Sequence, residues 1–370
     1  MSNLKTMGKP SLILAALAAD ALPGLNFIKV ENQPRDDAAV SVELLTTDDD
    51  RLILLKSPLD SLASTDLGTE VRALQVLKNV SLPFSISAYL GKTSPKAIRV
   101  ALAFEYVPGN PTDLTRMKLD DPLVTSIGQA LSAIHSIPTV LVSDAGLPEY
   151  DPAERVRIMV AEFDRAMDTG KVHPDLLERW QTALFDVNLF KYRPTVIHGS
   201  MKSDFLLCQG DFVVGVIEWG LLSVDDPALD FAFLHNEGSQ DLAEAAILAY
   251  EGSTRADRNF RQRAQLHYEL TFASFLIEAI ASGDEAEIEE AISQITWLHE
   301  VLVAGELPSL RPTDFTMSGA EVIVPISQAA SFTAPVTIVT DSIEVVDLAV
   351  IKPAAEEPSP QPKKDEDELF

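Results

Sequence analysis

Hydrophobic and polar residues alternate in the first third of the chain as they do in β-strands. In the second of three short apolar runs, Val40, Val42 and Leu44 alternate with Ser41 and Glu43. A period of two residues indicates a strand with one buried face. The pattern predicts strands over residues 27–30, 40–45, 52–55, 84–90 and 98–104.

An apolar segment over residues 11–19 precedes the first strand and follows two lysines, a combination typical of secretory signal peptides. Asp20 interrupts this segment, and Leu14 and Leu17 fall on one helical face. An amphipathic helix is therefore the better interpretation. No apolar run approaches the ~20 residues that a membrane span requires, which predicts a cytoplasmic protein that does not bind membranes.

The rest of the chain is dominated by apolar positions at helical spacing. Asp66 is a suitable N-cap for the first of these helices. The predicted helices cover residues 66–80, 121–137, 151–167, 174–184, 240–250, 257–280 and 285–303. Short strand-like runs interrupt them at residues 196–197, 205–207 and 212–217. The chain is thus predicted to be an α+β protein with a mainly helical C-terminal part.

The charge of the chain is strongly acidic and limits the class of partner. The 29 basic and 56 acidic residues give a formal net charge of −27. Such a surface repels nucleic acid and anionic membranes and suits a cationic small molecule, although charge also serves solubility alone. Cys208 is the one cysteine, so no internal disulfide forms, and its apolar context predicts a buried thiol.

The most informative stretch covers residues 196–234. A polar loop, His198-Gly-Ser-Met-Lys-Ser-Asp204, lies between two strand-like runs, and a hairpin then ends at Glu218. A strand, a polar loop and a hairpin that directs a carboxylate back to the loop is the arrangement at the centre of kinase-like phosphotransferases.

Three short motifs in this stretch resemble the aminoglycoside and macrolide phosphotransferase family. They are His198-Gly199, Ile217-Glu218-Trp219 and the run Asp226-Pro-Ala-Leu-Asp230. The resemblance covers about residues 10–307. It implies a protein-kinase-like fold of two lobes, with an antiparallel sheet and a helix in the small lobe and a mainly α-helical large lobe.

The resemblance also implies the domain boundaries. Residues 1–107 are expected to form the N-terminal lobe, and residues 108–306 the C-terminal lobe with the catalytic-loop region at 196–234. Residues 307–370 are rich in proline and acidic residues, which predicts a largely disordered tail.

A nucleotide site follows from the same resemblance, for ATP or GTP with Mg²⁺. Lys56, at the end of the third strand, is expected to hold the nucleotide phosphates and to pair with Glu70 of the next helix. The backbone of Glu105 and Val107, in the link between the lobes, is expected to bind the base. The loop over residues 31–37 has two aspartates and no glycine, which argues against tight ATP binding or for a different way of holding the phosphates.

The catalytic positions differ from the family pattern. Ser200 stands in place of the catalytic aspartate, and Phe205 in place of a metal-binding asparagine or histidine. Glu218 replaces a metal-binding aspartate and can still hold Mg²⁺. Asp204 is a substitute metal ligand, although in a strand its side chain would point away. Lys202 is a candidate for contact with the transferred phosphoryl group, as a lysine makes in protein kinases, or is simply an exposed residue.

Three functional hypotheses follow. The first is a phosphotransferase-like protein for O-phosphorylation of a small hydroxyl compound that has lost most activity, as pseudokinases have. The second is an active small-molecule kinase that uses Glu218, Asp204 and Lys202 in a rearranged site. The third is a kinase-fold scaffold that binds a protein partner through its acidic tail. Glu269 and Glu278 are further candidates for contact with a substrate.

Overall fold

The computed structural model describes residues 9–33, 39–94, 96–97 and 99–313. Most of the predicted tail, and the second half of the loop over residues 31–37, lie outside the described residues. The domain boundaries inferred from the sequence therefore stay predictions.

The N-terminal lobe is built on an antiparallel sheet of five strands, in the spatial order β1-β2-β3-β5-β4. The strands are β1 (Phe27–Asn32), β2 (Val40–Thr47), β3 (Leu52–Pro58), β4 (Tyr89–Lys92) and β5 (Leu102–Glu105). Helix α1 (Lys9–Ala21) is amphipathic as predicted, because its Leu17 and Ala18 pack in one apolar cluster with Leu45 and Leu55 of the sheet.

Helix α2 (Ser61–Leu77) begins earlier than its sequence pattern suggests. The side chain of Asp60 accepts a hydrogen bond from the Ala63 N–H at 2.7 Å and caps the helix. The prediction that Asp66 is the cap is wrong, since Asp66 lies inside the helix. Both aspartates are suitable caps, and the short turn after β3 decides between them. Glu70 lies on the buried face of this helix.

The C-terminal lobe is mainly helical. Its helices are α3 (Pro122–His135), α4 (Thr139–Asp144), α5 (Pro152–Asp168), α6 (Pro174–Leu184), α7 (Gln240–Glu251), α8 (Phe260–Ser282) and α9 (Glu285–Val303). Its short strands are β6 (Asn110–Pro111), β7 (Thr195–Ile197), β8 (Leu206–Gln209), β9 (Phe212–Val216) and β10 (Ser223–Asp225). Strand β7 pairs with β10, and β6, β8 and β9 form a second small sheet.

One apolar core connects the two lobes. It contains Leu74 of α2, Ile127 and Leu131 of α3, and the fully buried Trp219 that follows β9. The stretch with the family-like motifs is therefore packed between helices of both lobes. This packing fixes the loop after β7 relative to the sheet.

A second core lies among α5, α6, α8 and α9. Trp180, Leu266 and Leu298 are fully buried in it. Leu310, in the segment after α9, packs into the same cluster and is 4% exposed. The segment that directly follows α9 thus stays packed against the helical lobe. None of the described helices has the length and hydropathy of a membrane span.

The buried His235 makes the stability of the fold dependent on pH. It lies in the π-helical turn Leu234–Gly238, where Nδ1 is 3.0 Å from Oε1 of Gln240. Burial lowers the pKa of His235 to about 4, whereas an unfolded chain keeps an ordinary histidine pKa of roughly 6.5. The unfolded state therefore binds more protons between these values. We expect the free energy of unfolding to fall by about 2 kcal/mol from pH 7 to pH 5.

Urea denaturation of the wild type and of His235→Gln at both pH values measures this effect. The variant should lose less stability on acidification, while the surface variant His173→Gln should behave as the wild type. His198, whose pKa is also lowered by burial, remains in the variant and acts in the same direction. Equal losses in the wild type and His235→Gln would show that His235 is not the group responsible.

Candidate active site

The loop after β7 is held by a buried carboxylate. The N–H groups of His198 and Gly199 donate to the two oxygens of Asp230, at 2.7 and 2.8 Å. On its other side Asp230 lies 3.1 Å from Nε2 of His135, whose Nδ1 is 3.0 Å from the Tyr250 hydroxyl. Asp230 therefore braces the loop after β7, and His135 supports Asp230 from within the core.

Asp230 remains ionised inside the protein. Burial alone would raise its pKa, but the contact with His135 and the hydrogen bonds from the backbone N–H groups outweigh burial and lower it. A carboxylate that accepts two successive N–H groups fixes the direction of the loop after β7. Gly199 has a positive φ of 86°, and a Cβ at this position would collide with the Leu221 carbonyl. The loop therefore needs glycine there.

His198 joins the loop to the hairpin rather than facing a ligand. The side chain is fully buried, with Nε2 2.9 Å from the Ile217 carbonyl oxygen. Its ring contacts those of Trp219 and Phe205, at centroid distances of 4.8 and 6.0 Å. Burial lowers the pKa of His198, so the imidazole stays neutral at pH 7. A neutral Nε2–H donates to the carbonyl and ties the two segments together.

A buried triad of one lysine and two carboxylates lies between the lobes. The Nζ of Lys56 is 2.8 and 2.9 Å from the two carboxylate oxygens of Glu70 and 2.9 Å from Oε1 of Glu218. Burial would lower the pKa of Lys56, but the two carboxylates outweigh burial and raise it. The predicted pairing of Lys56 with Glu70 is confirmed, and the lysine is charged.

Glu218 reaches this triad through an unusual backbone conformation. It has φ 67° and ψ 55°, in the left-handed region that residues with a side chain seldom adopt. The left-handed conformation costs about 1–2 kcal/mol per residue. Such outliers often occur at functional sites, where the surrounding packing maintains them. Here the turn directs the Glu218 carboxylate out of the hairpin and onto Lys56.

The remaining residues of the predicted site lie on the loop between β7 and β8. Ser200 is half-buried, and among the described residues its hydroxyl makes no hydrogen bond. Lys202 is exposed, with Nζ 5.9 Å from the centroid of the Phe205 ring. Asp204 is exposed on a 3-10 turn, not on a strand, because β8 begins only at Leu206. The argument that a strand turns Asp204 away is therefore wrong, while its role as a ligand stays a prediction.

The link between the lobes keeps a backbone donor available. The N–H of Tyr106 donates to the Leu52 carbonyl at 3.3 Å. Within the described ranges, the N–H of Val107 has no hydrogen-bond partner. The Val107 side chain packs on Gly215 of β9, where an added Cβ would lie 2.5 Å from Val107 Cγ1. Glycine at 215 thus allows the link and the hairpin to approach closely.

One residue of the site was not found from the sequence. Glu237, in the π-helical turn before α7, accepts hydrogen bonds from the Ser203 N–H, at 3.1 Å, and from the Ser203 hydroxyl. It anchors the far end of the loop as Asp230 anchors its beginning. No local pattern indicates this role, because the contact joins residues distant in the sequence.

One of the two acidic candidates on α8 has its carboxylate bound within the core, while the role of the other stays a prediction. Glu269 is fully buried and accepts hydrogen bonds from Arg179 at 2.7 and 2.8 Å, from Trp180 at 2.9 Å and from Gln265 at 2.9 Å. The suggestion that Glu269 contacts a substrate is wrong, since its oxygens are used within the core. Glu278 is exposed on the same helix.

Asp226 connects the site to α8 through a second buried ion pair. Arg263 is fully buried and donates to the oxygens of Asp226 at 2.7 and 3.1 Å. His267 Nε2 lies 3.0 Å from the same carboxylate. Burial would raise the pKa of Asp226, but the charge of Arg263 and the contacts with His267 lower it. The carboxylate is ionised, so this network fixes the segment that contains Asp230.

A lysine–glutamate pair between a sheet and its helix, a braced loop and a carboxylate after a hairpin define a kinase-like phosphotransferase fold. The sequence pattern of the APH family, described as "Phosphotransferase enzyme family", matches residues 32–267. The chain therefore belongs to this family. No curated protein matches the sequence.

Solved structures confirm the predicted α+β fold of two lobes. A macrolide 2'-phosphotransferase type I is 23% identical with a TM-score of 0.67, over 78% of this chain and 98% of that chain. The apoenzyme of macrolide 2'-phosphotransferase MphH from Brachybacterium faecium is 18% identical with a TM-score of 0.65, over 77% and 98%. APH(2")-IIIa in complex with GDP and kanamycin is 16% identical with a TM-score of 0.63, over 77% and 97%.

Proposed function

We propose that this protein binds ATP or GTP between its lobes and that its transfer of a phosphoryl group to a small hydroxyl compound is impaired. The observation that carries the proposal is a contrast within one site. The buried pair of Lys56 and Glu70 is complete, whereas the loop braced by Asp230 contains Ser200, which by the family resemblance would stand at the position of the catalytic base.

The residues of the cleft suit binding of a nucleotide better than they suit binding of the Mg²⁺ ion that accompanies it. Lys56 would hold the phosphates, and the Glu105 carbonyl and the unpartnered Val107 N–H would hold the base. Glu218 would supply one carboxylate to Mg²⁺, an ion that prefers oxygen ligands. Phe205 offers no ligand, and the exposed Asp204 is the nearest substitute in the sequence. When bound, the metal would neutralise charge on the phosphates.

Loss of the base explains why transfer should be slow. A serine hydroxyl is a poor base near neutral pH unless a neighbouring group activates it. The imidazole of His198 is directed to the Ile217 carbonyl, and its Nδ1 is buried. In the described part of the chain, no hydrogen bond connects Ser200 to any group that would take its proton. The fold would still position the nucleotide and the acceptor hydroxyl, but no group would take the proton of that hydroxyl.

The substrate class is proposed from the relatives and from charge. The structural relatives include complexes with kanamycin and with gentamicin. A hydroxyl compound with cationic groups suits a chain with a net charge of −27. The protein would act in the cytoplasm, where the nucleotide is available. A role of the acidic tail in binding a protein partner stays a separate prediction.

A thermal-shift titration with ATP and GTP, each with and without Mg²⁺, tests nucleotide binding. A ligand at 100 times its Kd stabilises the folded state by about 2.7 kcal/mol, which should raise Tm by about 5 °C. Lys56→Met should abolish the shift, because it removes the phosphate-binding cation. Lys78→Met, at an exposed lysine that follows α2, should keep it.

The outcomes separate the hypotheses. A shift in the wild type and in Lys78→Met that is lost in Lys56→Met supports a nucleotide site at the triad. No shift at millimolar nucleotide would contradict nucleotide binding. A shift accompanied by rapid Mg²⁺-dependent turnover in the wild type would contradict impairment and support the rearranged site.

A further inference from the structure

Two surface histidines lie together on the helical lobe, away from the cleft. The chain has six histidines, and four of them, His135, His198, His235 and His267, are buried. The other two are His173, the N-cap of α6, and His299 of α9. Their rings stack with 3.4 Å between centroids and an interplanar angle of 21°. The solvent-accessible imidazoles of this protein are thus concentrated in one place.

A carboxylate completes the group. Oδ2 of Asp175 lies 3.1 Å from Nε2 of His299 and 3.6 Å from Nδ1 of His173. The three ligand atoms all lie within 4.8 Å of one another. Two ligands at about 2.0–2.1 Å from a tetrahedral ion are roughly 3.4 Å apart. The distances from Oδ2 of Asp175 to the two histidine nitrogens are therefore close to those between ligands of one metal ion.

Within the part of the chain that the structure describes, no basic side chain pairs with this carboxylate. Arg179, one turn further along α6, donates instead to Glu269 and, at 2.5 Å, to the Pro308 carbonyl. Across the described residues, no lysine or arginine forms an ion pair with Asp175. Asp175 is 58% exposed in its side chain and His173 45% exposed, so an ion from solvent has access.

We propose that His173, Asp175 and His299 form a binding site for a transition-metal ion of the Zn²⁺ class. Two imidazole nitrogens and one carboxylate oxygen suit Zn²⁺, Co²⁺ or Ni²⁺, whereas Mg²⁺ and Ca²⁺ prefer ligand sets of oxygen. The remaining coordination positions would be filled by water. The donor set distinguishes this site from the cleft, where the candidate ligands are carboxylates.

Binding requires a small rearrangement of one ring. Nearly parallel rings direct their nitrogen lone pairs side by side rather than toward one point. The torsion about the Cβ–Cγ bond of histidine is broad, and the exposed His173 has space to turn. The N–H of Asp175 donates to Nδ1 of His173 at 3.3 Å, a long hydrogen bond that the metal would replace.

The ion would link two helices that are distant in the sequence. His173 and Asp175 begin α6, and His299 lies near the end of α9. A ligand that binds only the folded state stabilises it by mass action. Metal binding should therefore raise Tm independently of nucleotide, because the site shares no residue with Lys56, Glu70 or Glu218.

Titration of tag-free, chelator-treated full-length protein with Zn²⁺ by calorimetry, and with Co²⁺ by visible absorption, tests the site. We expect one Zn²⁺ per chain, visible Co²⁺ bands and a rise in Tm, with no competition from equal Mg²⁺. Asp175→Asn and His299→Gln should lose binding at concentrations that saturate the wild type. Asp168→Asn, at an exposed carboxylate of α5, is the matched control and should retain it.

A second control separates this site from the cleft. Glu218→Gln should still bind one Zn²⁺ with the Co²⁺ spectrum of the wild type. The proposal is overturned if the wild type binds no Zn²⁺, or if His299→Gln and Asp175→Asn bind as the wild type does. It is also overturned if Glu218→Gln loses the ion while the histidine variant keeps it.

Discussion

Replacing Ser200 by aspartate and Phe205 by asparagine in one variant should raise Mg²⁺-dependent nucleotide hydrolysis by about 10²–10⁴-fold, the usual contribution of a general base. The aspartate would orient the attacking water and accept its proton. The asparagine would restore a metal ligand beside Glu218. The measurement is release of inorganic phosphate from ATP and from GTP, which needs no knowledge of the acceptor substrate.

The loop has the structure to accept both changes. Ser200 is half-buried, so a carboxylate there would keep contact with water. Phe205 is also half-buried, and its removal leaves His198 held by the Ile217 carbonyl. The bonds from the loop to Asp230 involve backbone N–H groups, which neither substitution changes. The loop geometry should therefore survive.

The matched control is the variant with Ser200→Asn and Phe205→Asn. Asparagine has nearly the shape of aspartate but cannot act as a base, so hydrolysis should stay near the wild-type rate. Tm of all three proteins shows whether each is folded. Equal hydrolysis by the two double variants, or no gain in a folded aspartate variant that binds nucleotide, would contradict the role assigned to position 200.

Replacing Arg263 by alanine should lower the free energy of unfolding by about 3–5 kcal/mol, the usual effect of removing one partner of a buried ion pair. Arg263 donates to Asp226, to Asp257 at 2.8 and 2.9 Å, and to the Leu189 carbonyl at 3.1 Å. Among the described side chains, its loss leaves the neighbouring His267 as the one remaining partner of the fully buried Asp226 carboxylate.

Arg261 offers a control two residues away on the same helix. It pairs with Glu244 and Glu251 at the surface, with 36% of its side chain exposed. Surface ion pairs contribute roughly 0–1 kcal/mol, so Arg261→Ala should lower stability by no more than that. Urea denaturation at pH 7 measures both variants. Similar losses in the two would show that the Asp226 network contributes no more than a surface pair.

Much of this protein follows from local sequence patterns. Strand alternation and helical spacing depend on neighbouring side chains, and they predicted the strand-rich first lobe and the helical second lobe. The resemblance likewise indicated the contacts of Lys56 with Glu70, which the structure contains. These contacts join elements whose order and packing are shared across the family, so a resemblance was sufficient to infer them.

The tertiary structure alone decided the details that depend on distant segments. The choice of Asp60 as the helix cap, the burial of Glu269 beneath Arg179 and the position of Glu218 on Lys56 each depend on packing between elements. The approach of His173 to His299 is of the same kind. Local sequence sets which conformations and contacts are available to a residue. Only the assembled core determines which polar groups lose water, and these must find partners there.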